Sequence, residues 1–344
     1  MTADLVGPES AAGFDRAPLA DAQVASWRHS GFVLVDGLLP EELVAEVVDL
    51  GRGRFPEPDS PGADDFRHFG SALVFPAAES AFDRATLHPR LLAAVGQLLD
   101  QPVSDLRLTQ STLWPKYGRA PDGPERGGND DQRIHVDYPN HMLVHPTPWD
   151  RPAAVEVIVY YSDHGHSGGS TAVVPRQGPE DPLYPWPIVG SPGIGPLPWI
   201  DARSEAEDYL ADHRPELASF RSQLYRREVH TRFRPGTVLL YRHDTWHRGT
   251  PLLPGARRLA QNLTFRRADA TWIETLHRGW SWSMYRPDQY VERFVAELSV
   301  DQRSVLGVPP PGHPYWCPAT VEAMTARYGA FGFDPTPYTA ALDR

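Results

Sequence analysis

The sequence predicts a mainly β fold with flanking helices, a sandwich or barrel of the jelly-roll kind. Three observations carry this. From about residue 103 the hydrophobic period changes from helical to alternating, and seven or more short segments follow, each bounded by turn-rich loops. Pro (36) and Gly (28) among 344 residues supply the turns. Aromatic residues run along the whole chain, which suits a loop-rich globule rather than disorder.

Residues 1–18 read as a mobile tail, and 19–102 as a helical N-terminal support. Leu19, Val24 and Trp27 have helical spacing up to Gly31, and Phe32 to Val35 form a strand-like run. Asp36-Gly37 then turns the chain into a second helix, which has Pro40 near its first turn and repeats Leu43, Val47 and Leu50 on one face. A Pro/Gly/Asp loop covers 52–65, and 81–100 reads as helix. The β core spans 103–266, with strands expected at Asp105–Trp114, Arg133–Tyr138, Val155–Tyr161, Ser170–Val174, Glu228–Phe233, Thr237–Arg242 and Arg258–Phe265. Residues 177–227 form a Pro-rich, then helical, insertion, and 267–344 are first aromatic (Trp272, Trp280, Trp282, Tyr285), then helical. No linker is polar enough to split the chain, so a single domain over 1–344 is expected.

Composition bounds the function. The formal net charge is −11, which argues against a partner held through phosphates, so nucleic acid is a poor ligand for this chain. One cysteine, Cys317, excludes an intrachain disulfide framework and any site needing several thiolates. No apolar run approaches a membrane span, and MTADLVGPES lacks the basic and apolar regions of a secretory signal, so a soluble, cytoplasmic chain is expected.

The chemistry concentrates in Arg133-Ile-His135-Val-Asp137-Tyr138. On a strand, residues i and i+2 share a face, so His135 and Asp137 would project together. A third ligand from a neighbouring strand would complete the 2-His-1-carboxylate set of non-haem Fe(II) enzymes, with positions left open for a cosubstrate and O2. The best candidate is His247, which follows the apolar strand launched by Pro235-Gly236 and precedes the turn residues Gly249, Thr250 and Pro251. Eleven residues on, Arg258 heads an alternating strand and shares a face with Ala260, Asn262 and Thr264, leaving Arg257 as a solvated charge. A buried Arg there needs a carboxylate, such as the distal one of 2-oxoglutarate. Gln110 shares a face with Leu106, Leu108, Thr112 and Trp114, and a buried amide in such a row needs partners, so cosubstrate positioning competes with a structural bond.

Together these segments resemble the phytanoyl-CoA dioxygenase family over most of the chain. Ser30-Gly-Phe-Val-Leu-Val-Asp-Gly-Leu-Leu-Pro-Glu-Glu-Leu43 is similar to its N-terminal signature, Gln110-Ser111 with Lys116 to its first core strand, and His135-Val-Asp137 to its iron motif. Gly168-Gly-Ser-Thr-Ala-Val-Val-Pro175 is similar to its glycine turn, and Pro235-Gly-Thr-Val-Leu-Leu-Tyr241 leading to His247 and Arg258 to its last ligand and cosubstrate anchor. The resemblance implies a double-stranded β-helix and an oxygenase using Fe(II), 2-oxoglutarate and O2. His135, Asp137 and His247 would hold the iron, and Arg258, Gln110 and Lys116 would be the cosubstrate residues. Related halogenases carry a small residue in place of the carboxylate, so Asp137 favours hydroxylation. Two positions depart from the pattern: Arg176-Gln177-Gly178 follows Pro175 in place of Gly-Ser-His, and Gly249 stands where a small hydroxyl residue is common.

Arg133, Tyr138, Asn140, Trp246 and Asn262 are candidates to line the pocket of a small organic substrate; Trp246 is also a ready packing residue. A zinc hydrolase built on His243 and His247 is disfavoured, because the segment follows a strand and reaches Gly-Thr-Pro too soon for a two-turn helix. A non-catalytic member of the fold would be expected to have lost a ligand or Arg258, and neither is missing. A cupin-like metal isomerase or hydrolase would not need Arg258.

Overall fold

The computed structural model describes residues 17–66, 73–77, 79–119, 131–188, 203–270 and 289–342. The tail call therefore lies almost wholly outside the described residues, as do Trp272, Trp280, Trp282 and Tyr285 and residues 189–202 of the insertion.

Four helices precede the core: α1 (Asp21–Ser30), α2 (Glu41–Arg54), α3 (Ser80–Thr86) and α4 (Pro89–Leu99). Helix α2 begins after Pro40 with Glu41 and Glu42 in its first turn and ends with Arg52 and Arg54, each charge opposing the nearer end of the helix dipole. The single helix expected over 81–100 is two, because Pro89 disfavours helical backbone at the residue before it and restarts the helix at its own first turn.

The strands are β1 (Phe32–Val35), β2 (Leu73–Val74), β3 (Leu106–Tyr117), β4 (Ala154–Tyr160), β5 (Thr171–Val173), β6 (Val229–His230), β7 (Val238–Arg242), β8 (His247–Gly249) and β9 (Arg257–Arg267). They form a six-stranded sheet in the order β1-β7-β4-β9-β3-β2 and a three-stranded sheet in the order β6-β5-β8, all pairs antiparallel. The N-terminal support is thus not helical alone: it lends β1 and β2 to the main sheet.

Strand β4 is buried along its whole length, yet its two faces differ. Val155, Val157 and Val159 pack outward with Leu259, Leu263 and Phe265 against Trp27, Val47 and Val95 of the N-terminal helices. Ile158 and Tyr160 point the other way and meet Val173, Leu239, Tyr241 and Ala260 between the two sheets. A third cluster joins α8 (Pro215–Arg227) and the C-terminal helices α9 (Tyr290–Glu297) and α11 (Pro318–Tyr328) to the segment around Ile134, Val136 and Trp246.

Three strand expectations are corrected. Strand β3 carries a bulge between Leu108 and Gln110, which reverses the alternation: Leu106 and Leu108 turn to the outer core, while Gln110 and Trp114 face the interior. Pro115 does not interrupt β3, because β2 stops at Thr112 and Leu113 and leaves an edge where a residue without an N–H is tolerated. The strand expected at 133–138 is one isolated bridge, His135 to His247, followed by the short helix α5 (Tyr138–His141). No helix among the described residues is long and apolar enough to cross a membrane.

Candidate metal centre and anion pocket

His135 and His247 exchange backbone hydrogen bonds, N to O at 2.9 Å and 2.8 Å, which sets their rings side by side with centroids 4.4 Å apart. Asp137 reaches them by a turn instead of by strand alternation. Its backbone N–H and that of Tyr138 both donate to the carbonyl of His243, at 2.9 Å each. His243 lies in the turn between β7 and β8, which is anchored in turn. Arg242 makes a two-point pair with Asp244 (2.8 and 3.0 Å) and lies 3.8 Å from the ring centre of Trp149. The Thr245 hydroxyl donates to the carbonyl of Gly31 at 2.9 Å. A Cβ at Gly31 would stand 2.6 Å from that hydroxyl, and the φ of +92° already favours glycine.

The carboxylate of Asp137 lies 3.6 Å from Nε2 of His135 and 3.3 Å from Nε2 of His247. The three ligand atoms fall within 4.8 Å of one another, the one such group among the described residues. Their side chains are 12%, 13% and 6% exposed. In each imidazole Nδ1 faces a backbone carbonyl, of Arg133 at 2.8 Å and of Thr245 at 3.0 Å. A carbonyl only accepts, so Nδ1 carries a proton in both rings and Nε2 is the nitrogen left facing Asp137, free to ligate once it holds no proton. The donor set fits a metal: ligands about 2.1 Å from a common ion at right angles sit about 3 Å apart. Tyr241 completes the centre, its hydroxyl donating to Oδ2 of Asp137 at 2.8 Å.

Burial, and then the neighbouring His247, pushes His135 down to about 3, which keeps it neutral and able to ligate. Burial alone would raise Asp137, but the charge of and hydrogen bond from His247 outweigh it and hold the carboxyl below its ordinary range. The same pairing, working against burial, raises His247 above its ordinary value.

Further down the same pocket, Arg258 and Lys116 face each other across β3 and β9. Arg258 donates to the carbonyl of Gly169 and lies 5.9 Å from the ring centre of Tyr160. Its Nε is buried without a partner, no carboxylate among the described residues is ion-paired with it, and burial depresses the guanidinium below its ordinary value. Lys116 donates to the carbonyl of Thr250 at 3.4 Å. Gly249 makes room for it: a Cβ there would stand 2.8 Å from Oε1 of Gln132 and 3.1 Å from Nζ of Lys116.

The structure brings His135, Asp137, His247, Arg258, Lys116, Gln110 and Asn262 into one pocket. Asn140 does not line it: it is buried behind Asp137, and its amide donates to Oδ1 of that carboxylate at 3.4 Å. Arg133, Tyr138 and Trp246 do not line it. Tyr138 and Trp246 are packed in the C-terminal core with their polar atoms on the carbonyls of Ile188 and Leu183, and Arg133 is fully buried. His243 is buried outside the ligand group, which removes the His243/His247 zinc arrangement. Arg257, expected in solvent, is structural and donates to the carbonyls of Phe55 and Pro56. Arg221 is buried against Glu207 and the carbonyl of Ile134. Sequence reasoning missed Gln132, Glu156 and Tyr241. Only Glu156 carried a signal, as a lone carboxylate in Ala154-Val-Glu-Val-Ile-Val-Tyr160.

No family model matches the sequence, and no curated protein matches it. Among solved structures the chain is similar to EctD from S. alaskensis, determined with 2-oxoglutarate and 5-hydroxyectoine: TM-score 0.50, 15% identity, over 78% of this chain and 85% of that one. EvdO2 from Micromonospora carbonacea var. aurantiaca gives a TM-score of 0.48 and 16% identity over 73% and 91%. The non-heme alpha ketoglutarate dependent epimerase SnoN from nogalamycin biosynthesis gives 0.45 and 17% over 73% and 84%. The likeness to EctD shows the fold, the double-stranded β-helix expected from the sequence.

Proposed function

We propose that the chain is an Fe(II)- and 2-oxoglutarate-dependent dioxygenase of the phytanoyl-CoA dioxygenase type, hydroxylating a C–H bond of a small organic molecule in the cytoplasm. The observation that carries this is the pairing, in one pocket, of a two-histidine, one-carboxylate group with a buried guanidinium that has no carboxylate of its own. EctD, which shares the fold, was determined with 2-oxoglutarate and supports the same reading.

In this mechanism His135, Asp137 and His247 hold Fe(II). Fe(II) held there would allow O2, with 2-oxoglutarate as the second reductant, to convert a C–H bond to C–OH, one oxygen atom going to the substrate and the other to succinate as CO2 is lost. The chain's own residues do the rest. The carbonyls of Arg133 and Thr245 fix the imidazole tautomers, and Tyr241 fixes the rotation of the Asp137 carboxylate. Arg258, with Lys116 beside it, receives the distal carboxylate of the cosubstrate, and its planar fork orients that end of the molecule. Ile158 and Ala260 between them exclude water from the connecting stretch.

The test is an anaerobic titration with Fe(II) and then 2-oxoglutarate, followed by visible absorption. A weak charge-transfer band on adding 2-oxoglutarate is expected. Iron uptake with no such band would instead move a metal isomerase or hydrolase on the same fold to the front.

A further inference from the structure

The pocket has a second polar end that the reading above does not use. Glu156 projects inward from β4, opposite Thr264 of β9 on one side and Tyr241 of β7 on the other. It is 4% exposed and lines the same cavity as the metal group. One carboxyl oxygen, Oε2, accepts from the Thr264 hydroxyl, while Oε1 is buried with no partner. A buried polar atom left unmatched is costly, so a group that supplies an N–H or O–H there gains by doing so.

Position adds direction. Arg258 and Thr264 are separated by six residues of β9, about 20 Å at roughly 3.3 Å per residue. Along the inward face of β9 the cationic pair therefore marks one end and Glu156, against Thr264, the other. A cosubstrate held at Arg258 does not span to Glu156.

We propose that Glu156 is a substrate-binding residue: it accepts a hydrogen bond from an ammonium or hydroxyl group of the substrate and so selects donor-bearing molecules for oxidation. The proposal rests on the oxygenase reading for the word oxidation, but not for the binding itself. Asn262 and Gln110 line the same end and supply further amide contacts for a polar substrate. Burial, followed by the charge of Asp137, raises the Glu156 carboxyl well above its ordinary range, so an ammonium brought to Oε1 supplies the counter-charge that lets this oxygen lose its proton and accept.

The test uses three fragments of equal size, propylammonium, 1-propanol and propionate, titrated into the purified full-length chain and read by ligand-observed NMR. Propylammonium, propanol or both are expected to bind the wild type, and Glu156→Ala to weaken that binding at least fivefold. Glu156→Gln, whose amide oxygen still accepts, should weaken the ammonium and spare the alcohol. Which fragment binds tells an amine substrate from a hydroxylated one. Propionate should respond to Arg258→Ala and not to Glu156. Donor-fragment binding unchanged in both Glu156 variants, or no binding of either donor to the wild type, overturns the proposal. Should Glu156→Ala fail to fold, the Gln variant carries the comparison alone. A chain that takes up no Fe(II) would end the oxygenase reading without touching this result, because the Glu156 variants leave Asp137 and both histidines unchanged.

Discussion

The two functional ends that hold the cofactor chemistry are built by different means. At the cationic end, Lys116 and Arg258 are opposed in a ladder that runs the full length of β3 and β9, and β9 is paired on its other side with β4. At the metal end the frame is one isolated bridge, a four-residue helix and the carbonyl of His243. A ladder tolerates the loss of a side chain because its backbone bonds do not depend on it. A turn-built site concentrates its geometry in a few bonds, and Asp137 carries several of them, to Tyr241, Asn140 and both imidazoles.

The sharpest way to break this comparison is Asp137→Ala. It removes the one anionic ligand and the acceptor for Tyr241 together, leaving two neutral imidazoles. Loss of a supporting partner alone costs about 10–100-fold in metal affinity, so loss of this ligand should exceed about 100-fold. Equilibrium dialysis with metal quantification reads this directly, and a variant that held Fe(II) as tightly as the parent would refute the centre described.

Arg258→Ala should act at the cationic end only. Fe(II) uptake stays as it is, while 2-oxoglutarate weakens by about 2–5 kcal/mol, roughly 30-fold to several thousand-fold, as for other buried charge pairs that lose one partner. Arg258→Lys should recover little, since a point charge does not replace the planar fork. Parallel loss of iron and cosubstrate in Arg258→Ala would show that the two ends are one unit.

This division also explains what was legible in the sequence. The inward face of β9 (Arg258, Ala260, Asn262, Thr264) could be read because a long paired strand keeps its alternation, and each of these side chains does face the interior. On β3 the same rule failed before Gln110, because a bulge leaves no mark in the hydrophobic pattern. Around Asp137 the expected residues do come together, but not for the expected reason. They converge by a bridge and a turn, and strand alternation plays no part. The substrate candidates Tyr138 and Trp246 were misplaced for a related reason: closeness in sequence to a ligand says nothing of direction once the chain leaves the ladder. Tyr241 and Gln132 had no local signal, since their roles depend on residues more than a hundred positions away.

A gentler perturbation of the cationic end is Gly249→Thr. The new Cβ would stand inside normal contact with Gln132 and Lys116, but both opposing atoms are the ends of flexible side chains, so the fold should survive. The lysine must move, and the apparent affinity for 2-oxoglutarate should fall about tenfold with Fe(II) binding unchanged. Calorimetric titration with each ligand separates these outcomes; a variant that binds 2-oxoglutarate as well as the parent would show that Lys116 contributes nothing there.

The smallest effect is a proton, and it sharpens the metal end. His135 is pushed down to about 3 by burial, so it is already neutral throughout the working range and does not compete with the metal. His247 lies above its ordinary value because the charge and hydrogen bond of Asp137, with the Thr245 carbonyl, together outweigh burial, and this favours a proton on the nitrogen that must ligate. Metal uptake has to displace that proton. Affinity for Fe(II) should therefore rise with pH up to the raised value of His247 and level off above it, and below it should fall about tenfold per unit of pH, the signature of one proton. Asp137 stays ionised across this window and adds no slope. Anaerobic Fe(II) titrations between about pH 5 and 8 give that slope. A fall of a hundredfold per unit would mean that both imidazoles must lose a proton to the metal, and that the neutral state assigned to His135 is wrong.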